Sequence, residues 1–177
     1  MLRIDRMTPD DWHRVRAVRL RALDDAPDAF WVTLDEEAAT TEAVWRQRLG
    51  RPDAVTFVAN GDGVDVGLAV GARHHTHDYD GVEPTRRHTH EHDAGLYAMW
   101  VAPEARRAGV ATALIERVVA WARAAGYTRL RLDVGDTNQA AVRLYEAMGL
   151  EPTGHTEAFP PPRQHVTEHE RALNLTD

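Results

Sequence analysis

The stretch that most constrains this chain is a strand, a turn, a helix and another strand in its C-terminal half. Residues 96–101, Leu-Tyr-Ala-Met-Trp-Val, read as a strand closed by Ala102-Pro103. A helix over residues 111–125 follows, with the apolar stripe Val110, Leu114, Val118, Trp121 and Ala125, and Gly126 stops it. Leu130, Leu132 and Val134 mark the next strand, 129–134. A strand that returns through a single helix lies parallel to the first, with a right-handed crossover. The turn before the helix places Gly109 and Ala111 where several backbone N–H groups point outward at the positive end of the helix dipole. Arg106 and Arg107 stand beside them, so the turn reads as a phosphate cradle. The competing reading is tight packing alone. The pattern is Arg-x-x-Gly-x-Ala, not the Gly-x-Gly-x-x-Gly of dinucleotide folds.

Such a cradle is built without lysine, because the chain contains none: all 21 basic residues are Arg, and there is no Cys. That excludes a thiolate nucleophile, a disulfide, a Schiff-base lysine and a P-loop lysine. A length of 177 residues with 43% hydrophobic content suits one domain spanning 1–177. A net charge of −7 argues against nucleic acid as a partner and is compatible with a cationic substrate such as an amine. No uncharged apolar run approaches the roughly 20 residues needed to cross a membrane, and Met1 to Asp5 is no signal peptide. A cytoplasmic protein is expected, and a homodimer is left open.

Around the central unit, Leu2 to Asp5 alternate like a short strand, and Thr8-Pro9-Asp10-Asp11 starts a helix reaching about residue 24. Residues 25–40, with Phe30 and Trp31, form a connection whose aromatics serve the core or a pocket wall. Another helix covers 42–49. Residues 54–59 and 64–72 are partner strands across the turn Asn60-Gly61-Asp62-Gly63. Residues 73–93 hold six of the ten histidines, His74, His75, His77, His88, His90 and His92, and read as an exposed loop. Alternate histidines on strands have the chemistry to bind zinc, nickel or copper, yet no regular ligand spacing appears, so no metal is assigned. A last strand is expected near 170–175.

Residues 138–150, Asn-Gln-Ala-Ala-Val-Arg-Leu-Tyr-Glu-Ala-Met-Gly-Leu, form a further helix capped by Thr137 or Asn138 and ended by Gly149. Its spacing puts Asn138, Ala141 or Val142, and Tyr145 on one face. With residues 99–114, Met-Trp-Val-Ala-Pro-Glu-Ala-Arg-Arg-Ala-Gly-Val-Ala-Thr-Ala-Leu, this helix makes the sequence resemble the GNAT acetyltransferase superfamily. Residues 99–114 resemble the family's strand and acetyl-CoA pyrophosphate loop. Residues 138–150 resemble its Asn-x-x-Ala-x-x-Leu-Tyr-x-x-x-Gly-Phe helix, with Leu150 in place of Phe. The resemblance covers about residues 2–175, with its core at 95–152.

What the resemblance implies is an α/β single-domain GNAT-like fold: a mixed, mostly antiparallel sheet flanked by helices, with a parallel, splayed strand pair at the cofactor site. Acetyl-CoA is the implied acyl donor, and the implied acceptor is a small-molecule or peptide amine. Backbone groups of Met99, Trp100 and Val101 would pair with the pantetheine arm. The amides from Arg107 through Ala108, Gly109, Val110 and Ala111 would hold the pyrophosphate, with Arg106 at the loop's first position and Thr112 just inside the helix. Asn138 would bond the cofactor or a water. Tyr145 would lie near the sulfur and protonate the departing thiolate. Many relatives have Gly where Arg107 stands, so its side chain must point away or meet the phosphates. The attacking amine must lose a proton. Glu91, His92 and Asp93 are the candidates to take it, and none is fixed by spacing. The alternative function on this fold is a catalytically silent acyl-CoA-binding or metal-binding module.

Overall fold

In a computed structural model of the chain, residues 1–74, 92–159, 161 and 163–176 are described. The strands are β1 (Leu2–Arg6), β2 (Ala54–Gly61), β3 (Val64–Arg73), β4 (Asp93–Val101), β5 (Arg129–Gly135), β6 (Glu151–Ala158) and β7 (Thr167–Asn174). The helices are α1 (Trp12–Asp25), α2 (Leu34–Ala38), α3 (Glu42–Leu49), α4 (Val110–Ala124) and α5 (Gln139–Ala147). All seven strands join one sheet in the order β1-β2-β3-β4-β5-β7-β6. Every neighbouring pair is antiparallel except β4 with β5, which is parallel, as the single-helix crossover requires.

Local chemistry sets the boundaries. Thr8 donates its N–H and its hydroxyl to the Asp11 carboxylate at 2.9 and 2.7 Å, which starts the turn leading into α1 and holds the Asp11 carboxyl below its usual pKa. The β2–β3 hairpin turns on Asp62 and Gly63, at φ +50° and +90°, so β2 runs two residues further than alternation alone suggests. α4 lies directly on the sheet: a Cβ at Gly71 would come within 2.8 Å of Trp121 and 2.9 Å of Val118. α1 covers the opposite face, burying Val15, Val18, Ala22 and Leu23.

Several elements differ from expectation. Residues 25–40 contain a 3-10 turn, Pro27–Ala29, and the short helix α2. Thr33 and Glu36 cap α2 reciprocally: the Thr33 N–H donates to the Glu36 carboxylate at 2.8 Å, and the Glu36 N–H donates to Thr33 Oγ1 at 3.3 Å. Strand β6 arises from a polar run with no strand periodicity, because it needs only β7 to pair with at the sheet edge. Finally, β4 begins at Asp93 and β7 at Thr167, three residues earlier than expected in each case. Among the described residues no helix is long and apolar enough to cross a membrane, and no group of His, Asp and Glu is arranged to hold a metal. The metal question for His75, His77, His88 and His90 lies outside the described residues.

Candidate active site

β4 and β5 pair only at Asp93–Arg129, Ala94–Leu130 and Gly95–Arg131. Beyond Gly95 the ladder ends and the strands diverge. On the other side of β4 the register with β3 slips between Leu68 and Val70, and Ala98 takes the left-handed conformation at φ +53°. The bulge and the divergence turn the backbone of residues 96–101 and 132–135 into the wall of a cleft of about 980 Å³. Backbone polar groups in such a wall need partners, and an extended ligand carrying amides can supply them. Met99, Trp100 and Val101 all line this wall.

The cleft runs to the head of α4. Gly109 caps that helix at φ +78°, and a Cβ there would meet nothing within 4 Å, so the space over the first helical amides is open. That is the arrangement an anionic phosphate fits: helix-start N–H groups, a 15-residue dipole and room above them. Arg107, Val110, Ala111 and Thr112 line the same end, and Ala108 lies exposed in the loop between. Arg107 is exposed and held at φ +62°, a conformation that favours glycine. Arg106 is occupied elsewhere. Its Nε donates to Val101 O at 3.0 Å and its Nη2 to the Asp25 carboxylate, which also accepts from Trp100 Nε1 at 2.8 Å. Arg106 therefore ties the loop to the end of α1.

α5 forms the third wall through Ala140, Ala141, Leu144 and Tyr145. Asn138 lines the cleft and caps α5, accepting the Ala141 N–H at Oδ1, 3.2 Å away. Tyr145 is buried, and burial pushes its phenol up to about 12, so it keeps its proton at any physiological pH. Its helix is pinned from β7: Arg171 donates to Leu150 O at 2.9 Å and to the Glu146 carboxylate at 2.8 Å.

The fourth wall comes from the segment after α1 and the start of β7. Asp25, Asp28, Phe30, Trp31 and Glu168 line it. Arg163 donates to Pro27 O at 2.6 Å, to Phe30 O at 2.5 Å and to Trp31 O, and its guanidinium lies over the Phe159 ring. The Trp31 ring packs against the same Phe159 at 5.6 Å, and its indole N–H donates to Glu168 Oε2 at 2.8 Å.

The sequence profile of the Acetyltransferase (GNAT) family matches residues 18–150, three-quarters of the chain. The chain belongs to that family. Human N-acetyltransferase 8 is 38% identical over 74 residues, 42% of this chain and 31% of that protein. The aminoglycoside N(6')-acetyltransferase type 1 of Acinetobacter baumannii is 35% identical over 66 residues, 37% of this chain and 45% of that one. These matches therefore span less than half of the length of the curated relatives. A Salmonella typhimurium protein solved with its cofactor acetyl-CoA is 18% identical, with a TM-score of 0.70 over 100% of this chain and 95% of that one, which is a likeness of fold.

Within this GNAT domain the proton-acceptor candidates fall differently from the residues expected at the cofactor, which line the cleft or its loop. Glu91 lies outside the described residues. His92 is an exposed turn residue whose carbonyl accepts from Thr128 N–H at 2.8 Å, and it does not line the cleft. Asp93 is buried at the start of β4 and accepts from Arg131 Nε at 2.5 Å, while Arg131 Nη1 donates to Glu170 at 2.7 Å. The reason is the longer strand: Asp93 enters the sheet where β4 and β5 are still zipped together, away from their divergence. Sequence reading missed Asp25, Asp133 and Glu168 in the wall. Glu168 sits in Thr-Glu-His-Glu-Arg, whose alternating charges resemble a solvated strand and give no hint of burial.

Proposed function

We propose that this GNAT domain moves an acetyl group from acetyl-CoA directly to a primary amine of a small molecule or peptide. One observation above others supports the reading: a buried phenol, Tyr145, whose burial keeps it protonated, shares one cleft with a diverging strand pair and an open helix N-terminus. Acetyl-CoA supplies the thioester. The amides at the head of α4, with Arg107 beside them, hold its pyrophosphate, and the backbone of Met99 to Val101 aligns its amide-bearing arm. The bulged backbone at Ala98 and Met99 faces the cleft and polarises the carbonyl as negative charge develops. Tyr145 gives its proton to the departing sulfur, which a group with an ordinary carboxylic pKa would not still carry at neutral pH. Neither His92 nor Asp93 lines the cleft, so in this scheme the ammonium sheds one proton to solvent before attack, and a second proton leaves the attacking nitrogen through water to the Tyr145 phenolate as the C–S bond breaks. The name of the Acinetobacter relative, with an aminoglycoside amino group as acceptor, agrees with an amine acceptor here.

Thiol release from acetyl-CoA, followed with and without a panel of amines, tests the proposal, with mass spectrometry of the product. Amine-dependent release and an acetylated amine are expected. Tight acetyl-CoA binding with no turnover of any amine would leave a silent acyl-CoA-binding module, and no binding at all would remove the cofactor assignment.

A further inference from the structure

Helix α1 ends on an acid at the negative end of its own dipole: Asp25 is its last residue, and its last turn carries no basic side chain. A carboxylate there is disfavoured unless a cation outside the helix offsets it. Arg106 supplies that cation, with Nη2 on Asp25 Oδ2 and Nε on Val101 O at 3.0 Å. The same Asp25 oxygen accepts the Trp100 indole N–H at 2.8 Å. One turn earlier on the same face of α1, Arg21 donates to the Glu104 carboxylate at 2.8 Å and lays its guanidinium over the Trp100 ring, 5.5 Å from the centroid. The end of α1 thus offers a cation and an anion to an anion and a cation of the loop before α4. The two pairs are not equal. The Asp25 side chain is 25% exposed, against 43% and 58% for those of Arg21 and Glu104. An exposed pair holds little by itself, whereas Asp25 adds the bond from Trp100, whose side chain is buried, and so carries the clamp.

Both partners of Asp25 belong to the wall and loop expected to hold the donor. Trp100 lies in β4 beyond the point where its pairing with β5 ends, and Arg106 opens the loop that leads to the head of α4. Asp25 itself lines the cleft. Resting on the acetyl-CoA site described above, we propose that Asp25 is a positioning residue for the donor. By holding Trp100 and Arg106 on one oxygen, it fixes the strand wall and the head of α4 in the register that lets one acetyl-CoA reach both, with its amide arm and with its pyrophosphate. The sign of its effect separates this role from plain electrostatics. A carboxylate in a cleft that takes a pyrophosphate repels it and keeps Arg106 from the phosphates, so charge alone predicts tighter binding once Asp25 is neutralised. Positioning predicts the opposite: a loop held in place for only part of the time raises the apparent Kd by the inverse of the competent fraction.

The test is calorimetric titration of the full chain with acetyl-CoA, for the wild type, Asp25→Asn, Arg106→Gln and the double variant. Asparagine keeps the shape and an acceptor for Trp100 but loses the charge-assisted bond, which is roughly twice as strong as a neutral one, so the acetyl-CoA Kd should rise about threefold to tenfold. The double variant should bind no worse than Arg106→Gln, because the pair acts as one unit. S-acetylpantetheine has the thioester and the amide arm but no pyrophosphate. Its Kd, read by displacement against acetyl-CoA, should be the same in Asp25→Asn as in the wild type, whereas a role in folding alone would weaken both ligands or neither. An unchanged or lowered acetyl-CoA Kd in Asp25→Asn, an equal loss for S-acetylpantetheine, or additive losses in the double variant overturns the assignment. Thermal melts check that each variant is folded, and Arg106→Gln reads the same split between the two ligands from the more exposed partner. Absence of acetyl-CoA binding by the wild type would instead fail the cofactor site itself, so the two failures are distinguishable.

Discussion

Arg107 occupies a position whose backbone asks for glycine, and two substitutions separate what its side chain does from what its backbone costs. At φ +62° a residue with a Cβ carries about 1–2 kcal/mol of strain. Glycine relieves this but loses about 0.4–1 kcal/mol through its freer unfolded chain. Arg107→Gly should therefore be more stable than Arg107→Ala by about 0.5–1 kcal/mol, or about 1–4 °C in Tm for a domain of this size. Both variants remove the guanidinium equally. If it meets the pyrophosphate, each should lose a charge-assisted contact worth about 1.5–3 kcal/mol, which is about a tenfold to hundredfold rise in the acetyl-CoA Kd. Calorimetric titration with acetyl-CoA at low and high salt reads the binding effect, and thermal melts of the apoprotein read the strain. Because the side chain is exposed, the loss should shrink as salt rises. An unchanged Kd in both variants would remove Arg107 from the cradle and leave the α4 amides alone in that role. A Gly variant melting below the Ala variant would refute the strain argument.

Other perturbations address the remaining walls. Tyr145→Phe should lower kcat about a hundredfold with little change in acetyl-CoA affinity, and an unchanged rate would end its role as acid. The same residue has a stability signature: its phenol is raised from 10.0 to about 12, so the unfolded chain ionises first as pH rises. Stability should fall through pH 10 to 12 by about 3 kcal/mol, a loss that denaturant titrations of Tyr145→Phe should lack. Arg131→Met leaves Asp93 and Glu170 buried without their shared guanidinium and should cost about 3–5 kcal/mol in chemical denaturation. A loss below about 1 kcal/mol would mean that the network tolerates the missing charge. Arg163→Lys should raise acceptor KM while sparing acetyl-CoA affinity, since one ammonium cannot reproduce a planar fork over three carbonyls. Equal effects on donor and acceptor would show that the wall is not a separate unit.

The helix start and the strand divergence that wall one side of the cleft were legible in the sequence because their physics is local. A helix start needs small residues and a cap, so Gly109, Ala111 and Asn138 announce themselves by spacing, and the alternating Leu130, Leu132 and Val134 fix the parallel partner. The parallel pair, the stop at Gly126 and the exit at Gly149 all follow from the same signals. The opposite wall was legible only as a stretch, residues 25–40 with aromatics suited to a pocket, because its side-chain chemistry comes from contacts between residues far apart in the chain. Trp31 reaches Glu168 across 137 residues and Arg163 reaches Pro27 across 136. No periodicity encodes such pairs. Asp93 shows the opposite error: an acid next to a polar run reads as solvated, yet Arg131 on the neighbouring strand draws it into the sheet. A capping box at Thr33 to Glu36 was readable and would have revealed α2.

The absence of lysine acquires a structural meaning once the partners of the arginines are known. Arg19 meets Glu37 in the interior and Arg131 divides its fork between two acids. Arg171 spans a carbonyl and a carboxylate, and Arg163 serves three carbonyls. The last three of these tasks need two or more donors held in one plane, which a guanidinium provides and a single ammonium does not. Three of these four arginines sit on or against the strands and loops that shape the cleft, so replacing Lys by Arg throughout does not weaken the walls. The same composition also removes a competitor. A domain that acetylates amines and carries lysines exposes its own side chains as acceptors, whereas this chain offers no side-chain amine at all. If acceptor choice is set by carboxylates in the cleft, the chain's own strongly basic side chains present only guanidinium groups to them. Their nitrogens stay protonated at neutral pH and do not attack a thioester.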